Sequence, residues 1–98
     1  MDEQKQRQGK DTMIELPEKH HLKSLPHYFQ ALWVGDKTFE IRKNDRNFKE
    51  RDEVSIEEWE PKNGYTERLI EGFIRYISDY EQKPGYVVFS IQETRRQE

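Results

Sequence analysis

The sequence contains no cysteine among its 98 residues. This absence excludes disulfide bonds, thiol nucleophiles and metal sites built on thiolates, and it fits a reducing compartment. No stretch approaches the ~18 consecutive apolar residues that a membrane-spanning helix needs, and no apolar segment typical of a signal peptide follows the first methionine. We therefore expect a cytoplasmic protein without a membrane partner.

Several motifs with known chemistry are also missing. The chain has neither a Gly-rich phosphate-binding loop nor the Gly-x-Ser-x-Gly motif of serine hydrolases. Its three histidines do not form a ligand pattern, because His20 and His21 are neighbours on a predicted strand and point to opposite faces, whereas His27 lies in a predicted helix. The sequence predicts no metal site and no cofactor.

Apolar residues are scarce, but they are not evenly distributed. They form 32% of the chain and charged residues form 38%, a balance typical of disorder when it is uniform. All aromatic residues, however, lie beyond residue 27, and a chain of this length suits one small domain. We predict a largely disordered N-terminal tail over residues 1–18, one domain over residues 19–93 and a charged C-terminal tail over residues 94–98.

Charge is distributed asymmetrically along the chain. The formal net charge is −3, yet residues 19–51 hold eight basic and four acidic residues, and residues 52–98 hold eleven acidic and six basic residues. A cluster of the basic residues would favour an anionic partner. The alternative explanation is a solvated face whose charges pair with one another.

A short amphipathic helix is predicted after residue 24. Ser24 is a candidate N-cap, Pro26 suits the first turn, and Gly35 suits a helix end. Helical spacing is shown by Leu25, Tyr28, Phe29, Leu32 and Trp33. Such an aromatic stripe is typical of core packing, and we expect only Trp33, at the helix end, to be partly exposed.

The strand predicted over residues 38–43 is the centre of the functional hypothesis. Its residues alternate, which predicts that Phe39 and Ile41 face the core. The opposite, outward face would carry Thr38, Glu40 and Arg42. The turn residues Asn44 and Asp45 follow. The predicted core contains Leu32, Phe39, Ile41, Val54, Ile56, Ile74 and Val88.

Four further strands are predicted, over residues 20–23, 54–59, 66–77 and 85–91. Trp59 is out of phase with the apolar residues of its strand, which predicts either a bulge or an outward-facing ring. Gly72 in the longest strand predicts a bend. Five short strands and one helix predict an α+β, mainly β fold built as a small mixed barrel.

The segment from His21 to Ile91 resembles the ASCH domains of the PUA-like superfamily, and within them a small bacterial and phage branch of unassigned function. The matching residues are His21-Leu22-Lys23, Leu25-Pro26, Tyr28-Phe29, Gly35, Lys37-Thr38-Phe39-Glu40-Ile41-Arg42-Lys43-Asn44-Asp45-Arg46, Glu58-Trp59, Pro61 and Pro84-Gly85-Tyr86-Val87-Val88. The resemblance implies a β-barrel of about five or six strands with one or two short helices. It also implies a cleft between the first helix and the Glu-x-Arg strand, and binding of RNA or a nucleotide.

The leading hypothesis is a monomeric RNA- or nucleotide-binding module. Lysine and arginine side chains would contact phosphates, Glu40 would accept hydrogen bonds from a base or ribose, and Trp33 or Trp59 would stack on a base. The predicted binding residues are Lys23, Trp33, Lys37, Thr38, Glu40, Arg42, Lys43, Arg46 and Trp59.

Two alternatives remain open. Some ASCH relatives resemble amidohydrolases that act on modified nucleosides and use a lysine with a hydroxyl residue three positions later. Lys37 matches the lysine, but Glu40 occupies the hydroxyl position, so an enzyme would use Lys37 and Glu40, with Glu40 as general base. The other alternative is a protein-interaction module that uses the same cleft; unlike phosphate binding, an apolar interface would be insensitive to salt.

Overall fold

The computed structural model describes residues 16–98. Its elements are β1 (Lys19–Ser24), α1 (Pro26–Trp33), β2 (Phe39–Lys43), β3 (Glu53–Glu60), β4 (Gly64–Ser78) and β5 (Tyr86–Gln97). Most of the predicted N-terminal tail, residues 1–15, lies outside the described residues. Residues 16–18 have no regular secondary structure.

The five strands form one curled, half-barrel sheet in the order β1-β3-β4-β5-β2. The β1–β3 pair is parallel, and the β3–β4, β4–β5 and β5–β2 pairs are antiparallel. The one helix of the described residues packs Phe29 into the core. The predicted α+β, mainly β fold with a mixed sheet is therefore confirmed, and β1 and β2 are the two edge strands.

The core lies on the inner face of the curl. Its buried apolar residues are Leu22, Phe29, Phe48, Val54, Ile56, Ile70, Ile74, Val87 and Phe89. Three predicted core residues, Val54, Ile56 and Ile74, are fully buried. Leu32 packs against this cluster but is only partly buried.

Two strands present the opposite face from the one predicted. In β5 the core residues are Val87 and Phe89, not Val88. In β2, Phe39 is 42% exposed and Ile41 is 52% exposed, whereas Glu40 is 2% exposed. The prediction that Phe39 and Ile41 face the core was wrong. The alternation of apolar and polar residues shows that the two faces of β2 differ, but not which face is buried. The buried carboxylate is tolerated because neighbouring cations neutralise it.

The helix begins and ends where the sequence predicts, although its N-cap differs. Ser24 is the last residue of β1 and is buried, so Leu25 is the N-cap and its side chain makes no capping hydrogen bond. Pro26 suits the first turn because a missing N–H costs nothing there. At the other end, Gly35 adopts φ +87° and its N–H donates to the Leu32 carbonyl at 3.1 Å.

Two shifts in strand register affect Trp59 and Tyr76. The register between β3 and β4 shifts between Glu57 and Trp59, at the residue that the sequence shows to be out of phase. Another shift lies between Ile74 and Tyr76 in β4. As a result, Tyr76 is 65% exposed, and Ile77 packs against the core instead.

Residues 94–97 continue β5 and do not form a separate tail. Leu69 of β4 pairs with Gln97, and Glu71 pairs with Arg95. The Arg95 Nε donates to a Glu71 carboxylate oxygen at 2.9 Å. The sequence signal was weak here because backbone pairing and cross-strand ion pairs hold this segment without an apolar residue.

The close contact at Gly72 leads to a prediction. A Cβ at this position would lie 2.1 Å from the backbone carbonyl oxygen of Gln92 in β5. Because backbone cannot rotate away as a side chain can, we expect Gly72→Ala to lower the free energy of unfolding by about 2 kcal/mol. Urea denaturation measures this loss against Arg75→Ala, an exposed change on the same strand. Equal stability of the two variants would contradict the close contact.

Candidate functional site

A cleft of about 550 Å³ opens between the end of β1, the start of α1 and β2. It is lined by Lys23, Ser24, Leu25, Tyr28, Lys37, Phe39, Glu40, Ile41 and Arg42. The lining residues come from two segments, residues 23–28, which include the first turn of α1, and residues 37–42. Gly35 ends the helix, and the turn that follows brings Lys37 and β2 back beside the first helical turn.

Glu40 lies at the floor of the cleft between two cations. The Arg42 Nε donates to Oε1 of Glu40 at 2.8 Å, and the Lys37 Nζ donates to Oε2 at 3.2 Å. Arg42 reaches the carboxylate because residues two apart on a strand share a face. Two cations against one carboxylate leave this triad with a net positive charge. We call Lys37, Glu40 and Arg42 the charged triad.

Apolar and aromatic side chains form the walls of the cleft. Tyr28 is 54% exposed, and its ring centre lies 5.3 Å from the Lys37 Nζ. The Phe39 ring centre lies 5.8 Å from the same nitrogen. Leu25 and Ile41 are exposed nearby. Helical and strand periodicity assigned these four residues to the core, so they are not among the predicted binding residues.

A signal in the sequence could have located this face. The charges of Lys37, Glu40 and Arg42 are spaced so that both cations can pair with the one carboxylate. Such a set can be buried, whereas an apolar pair such as Phe39 and Ile41 can line an open cleft. Periodicity alone does not show whether the charged face or the apolar face of the strand is buried.

Two arginines connect β2 to β1 at the edge of the cleft. The Arg42 Nη2 donates to the backbone carbonyl of Lys23 at 3.0 Å, and the Arg46 Nη1 donates to that of His21 at 2.8 Å. The Lys23 ammonium itself lies 4.2 Å from the centre of the Trp59 ring. Trp59 thus makes a cation–π contact with Lys23, which lines the cleft, but Trp59 itself does not line the cleft.

Three other predicted binding residues also lie outside the cleft. Thr38 lines a separate cavity of about 160 Å³, Lys43 is exposed at the end of β2, and Arg46 follows in the turn. The structure therefore brings together four of the nine predicted residues at the cleft: Lys23, Lys37, Glu40 and Arg42.

Trp33 lies in a second polar cluster and not at the cleft. Its ring is flanked by the guanidinium of Arg68 at 4.7 Å and that of Arg96 at 4.2 Å. Arg68 also donates hydrogen bonds to Glu58, which hold the pKa of that carboxyl below its ordinary value. The two guanidinium groups already stack on Trp33, and Trp33 does not line the cleft.

A family described as "Domain of unknown function (DUF3850)" matches residues 19–91. The chain belongs to this family. No curated protein matches the chain. All cleft residues of this DUF3850 domain, from Lys23 to Arg42, lie within the matched segment. Among residues 16–98, no helix is long and apolar enough to span a membrane.

One further cluster of possible metal ligands lies away from the cleft of the DUF3850 domain. Ligand atoms of Glu18, His20 and Asp52 lie within 4.8 Å of one another. The buried Asp52 carboxylate accepts hydrogen bonds from the Glu18 amide at 3.1 Å and the Lys49 amide at 3.1 Å, and its Oδ2 lies 2.9 Å from the His20 Nε2. Protein groups thus satisfy this carboxylate, and the cluster acts as a clasp between β1 and the segment before β3.

Burial alone would raise the pKa of the Asp52 carboxyl. The hydrogen bonds from His20 and from the amides of Glu18 and Lys49 outweigh burial and hold the pKa below its ordinary value. The ionised form of Asp52 is therefore the one that the fold stabilises.

Proposed function

We propose that the cleft binds the base and phosphate of a nucleotide, either free or within RNA. The observation that carries this proposal is the charged triad at the floor of a cavity whose walls are aromatic and apolar. A volume of about 550 Å³ falls within the range of sites that enclose small molecules, about 300 to 1,000 Å³. A nucleotide combines a flat aromatic base with an anionic phosphate and so fits both parts of this lining.

Each lining residue has a role in this proposal. The exposed rings of Tyr28 and Phe39 offer stacking surfaces for a base. Lys23 and Arg42 supply donors for a phosphate at the edge of the cleft. Glu40 retains acceptor capacity on Oε2, which accepts one hydrogen bond from Lys37, so it can also accept from a base N–H or a ribose hydroxyl.

We also propose that this family is a branch of the ASCH domains in the PUA-like superfamily. Support comes from the half-barrel sheet and from one helix that ends at Gly35 directly before β2. Further support is the position of the cleft, which lies between α1 and the Glu-x-Arg strand. This arrangement agrees with the one that the sequence resemblance implies.

Removal of the aromatic walls tests nucleotide binding. We expect the wild-type domain to bind one or more of AMP, GMP, CMP and UMP, with NMR shifts concentrated at residues 23–28 and 37–42. The Tyr28→Ala and Phe39→Ala variants should each bind about tenfold more weakly, because stacking on an aromatic ring contributes ~1 to 3 kcal/mol per base. Both rings are substantially exposed, so thermal stability should change little.

Tyr76→Ala is the matched control, because its ring is exposed on β4 away from the cleft. It should bind as tightly as the wild type. Equal losses in the three variants, or no shifts at low salt with any nucleotide, would contradict the proposal. Binding of an apolar protein partner that does not weaken with salt would favour the protein-interaction hypothesis.

Amide hydrolysis on a modified nucleoside is the second candidate function. It is favoured by the contact of 3.2 Å between Lys37 and Glu40, an amine and a carboxylate that both line the cleft. Glu40 would then activate water, as general bases do. Incubation with an N-acylated nucleoside tests this candidate: release of the acid by the wild type and its loss by at least ~10²-fold in Glu40→Gln would support it.

A further inference from the structure

The half-barrel leaves an open side between its edge strands β1 and β2. Successive strand directions in the sheet make these two strands antiparallel. Lys23 faces Arg42 across the opening, and His21 faces Arg46, through the two hydrogen bonds described above. We call this opening, bounded by these four residues, the seam.

Side chains and not backbone groups bridge the seam. The described parts of β1 and β2 share no backbone ladder, so they lie farther apart than the ~4.8 Å of paired strands. The carbonyls of His21 and Lys23 are two residues apart, which places the two bridges roughly 7 Å from each other. The seam therefore starts at the cleft and extends to Arg46, and two arginine side chains cross it.

Basic residues lie along this seam. Lys23 and Arg42 lie where it meets the cleft, and Lys43 and Arg46 lie beyond the cleft. Three carboxylates lie beside these cations: Asp45 is 4.0 Å from the Arg46 Nε, Glu57 is 2.7 Å from the His21 Nδ1, and Glu40 accepts from Arg42. The four cations therefore outnumber the carboxylates by one. Each guanidinium has five N–H donors, and the His21 carbonyl accepts only one from Arg46.

We propose that the seam holds the sugar-phosphate backbone of a single-stranded nucleic acid, one base of which occupies the cleft. This inference rests on the proposed function of the cleft and extends it from a mononucleotide to a polynucleotide. A cleft of about 550 Å³ encloses one base, and a base can enter it only when it is unpaired. The neighbouring phosphates then meet Arg46 and Lys43, outside the cleft.

Chain length and Arg46 together test this inference. The probes are each mononucleotide and the homo-oligoribonucleotide of four residues with the same base. We expect the tetranucleotide to bind the wild type at least tenfold more tightly than the mononucleotide. In Arg46→Ala this gain should be lost and the mononucleotide affinity retained, and the dependence of log affinity on log salt should become shallower by about 0.7 for each phosphate contact removed.

Arg46→Lys and Arg75→Ala are the controls. The lysine variant keeps the charge and should retain most of the gain. Arg75→Ala removes a charge on β4, where Arg75 contacts Gln92 of β5, and should retain all of it. The corresponding oligodeoxynucleotide distinguishes RNA from DNA, because a contact to the 2′-hydroxyl would favour RNA.

Three outcomes would overturn the inference in distinguishable ways. Equal affinity for mononucleotide and tetranucleotide would leave the cleft as a nucleotide site and remove the seam as its extension. Loss of mononucleotide binding in Arg46→Ala would assign Arg46 to the cleft itself. Binding of neither probe to the wild type would overturn the proposed function together with the seam.

Discussion

Replacement of Glu40 by alanine should lower the free energy of unfolding by about 3 kcal/mol. The change leaves Lys37 and Arg42 facing each other without the carboxylate that now separates them, at side-chain exposures of 21% and 25%. Loss of one partner from a buried ion pair typically costs ~3 to 5 kcal/mol, and the partial exposure of both cations favours the lower end. Urea denaturation at neutral pH measures the loss.

Glu53→Ala is the control, since Glu53 is an exposed glutamate in β3, and its loss should be within about 0.5 kcal/mol of zero. A triple variant with Lys37→Met, Glu40→Leu and Arg42→Leu should recover much of the stability, because an apolar set of similar volume can replace a buried ion cluster. A loss below ~1 kcal/mol in Glu40→Ala would contradict the buried position of this carboxylate.

The features predicted correctly from the sequence depend on local physical chemistry. Gly35 ends the helix because a residue with φ near +87° is needed there. Pro26 suits the first helical turn, and the out-of-phase Trp59 corresponds to a register shift. Because each of these signals acts within a few residues, none needs knowledge of the rest of the fold.

Predicting which face of β2 is buried requires information that a local sequence pattern does not contain. The alternation of Phe39, Glu40 and Ile41 distinguishes two faces, but burial depends on which neighbour covers each face. β2 is an edge strand, and one of its faces borders an open cleft, so apolar side chains remain accessible there. In the charged triad, in contrast, both cations pair with the Glu40 carboxylate, and Glu40 is buried.

Local patterns likewise account for only part of where the predicted site residues lie. Lys23 and Lys37 lie at the cleft because short segments join them to the ends of α1. Trp33 was assigned to the site from its position at the helix end. Its true neighbours, Arg68 and Arg96, come from distant parts of the chain, and single-sequence patterns do not show such pairings.

The Asp52 clasp leads to the largest expected loss of stability. Asp52→Ala should cost about 3 to 5 kcal/mol at pH 7, because the amides of Glu18 and Lys49 and the ring of His20 all lose a buried acceptor. A domain of this size has a total stability of only ~5 to 15 kcal/mol, so the variant should be near its unfolding threshold. Asp52→Asn, which keeps one acceptor oxygen, should remain folded and lose about 2 kcal/mol.

Acid should remove this contribution in a defined pH range. The pKa of Asp52 is lowered in the folded domain, so its contribution is fully present above the unfolded pKa of ~3.9 and is lost as pH falls through the folded value. The difference in unfolding free energy between wild type and Asp52→Asn should therefore shrink as the pH falls below about 4. Urea denaturation across this range, with the exposed Asp79→Asn as control, measures it. A difference that grows as the pH falls below about 4 would mean that the fold does not favour the ionised carboxylate.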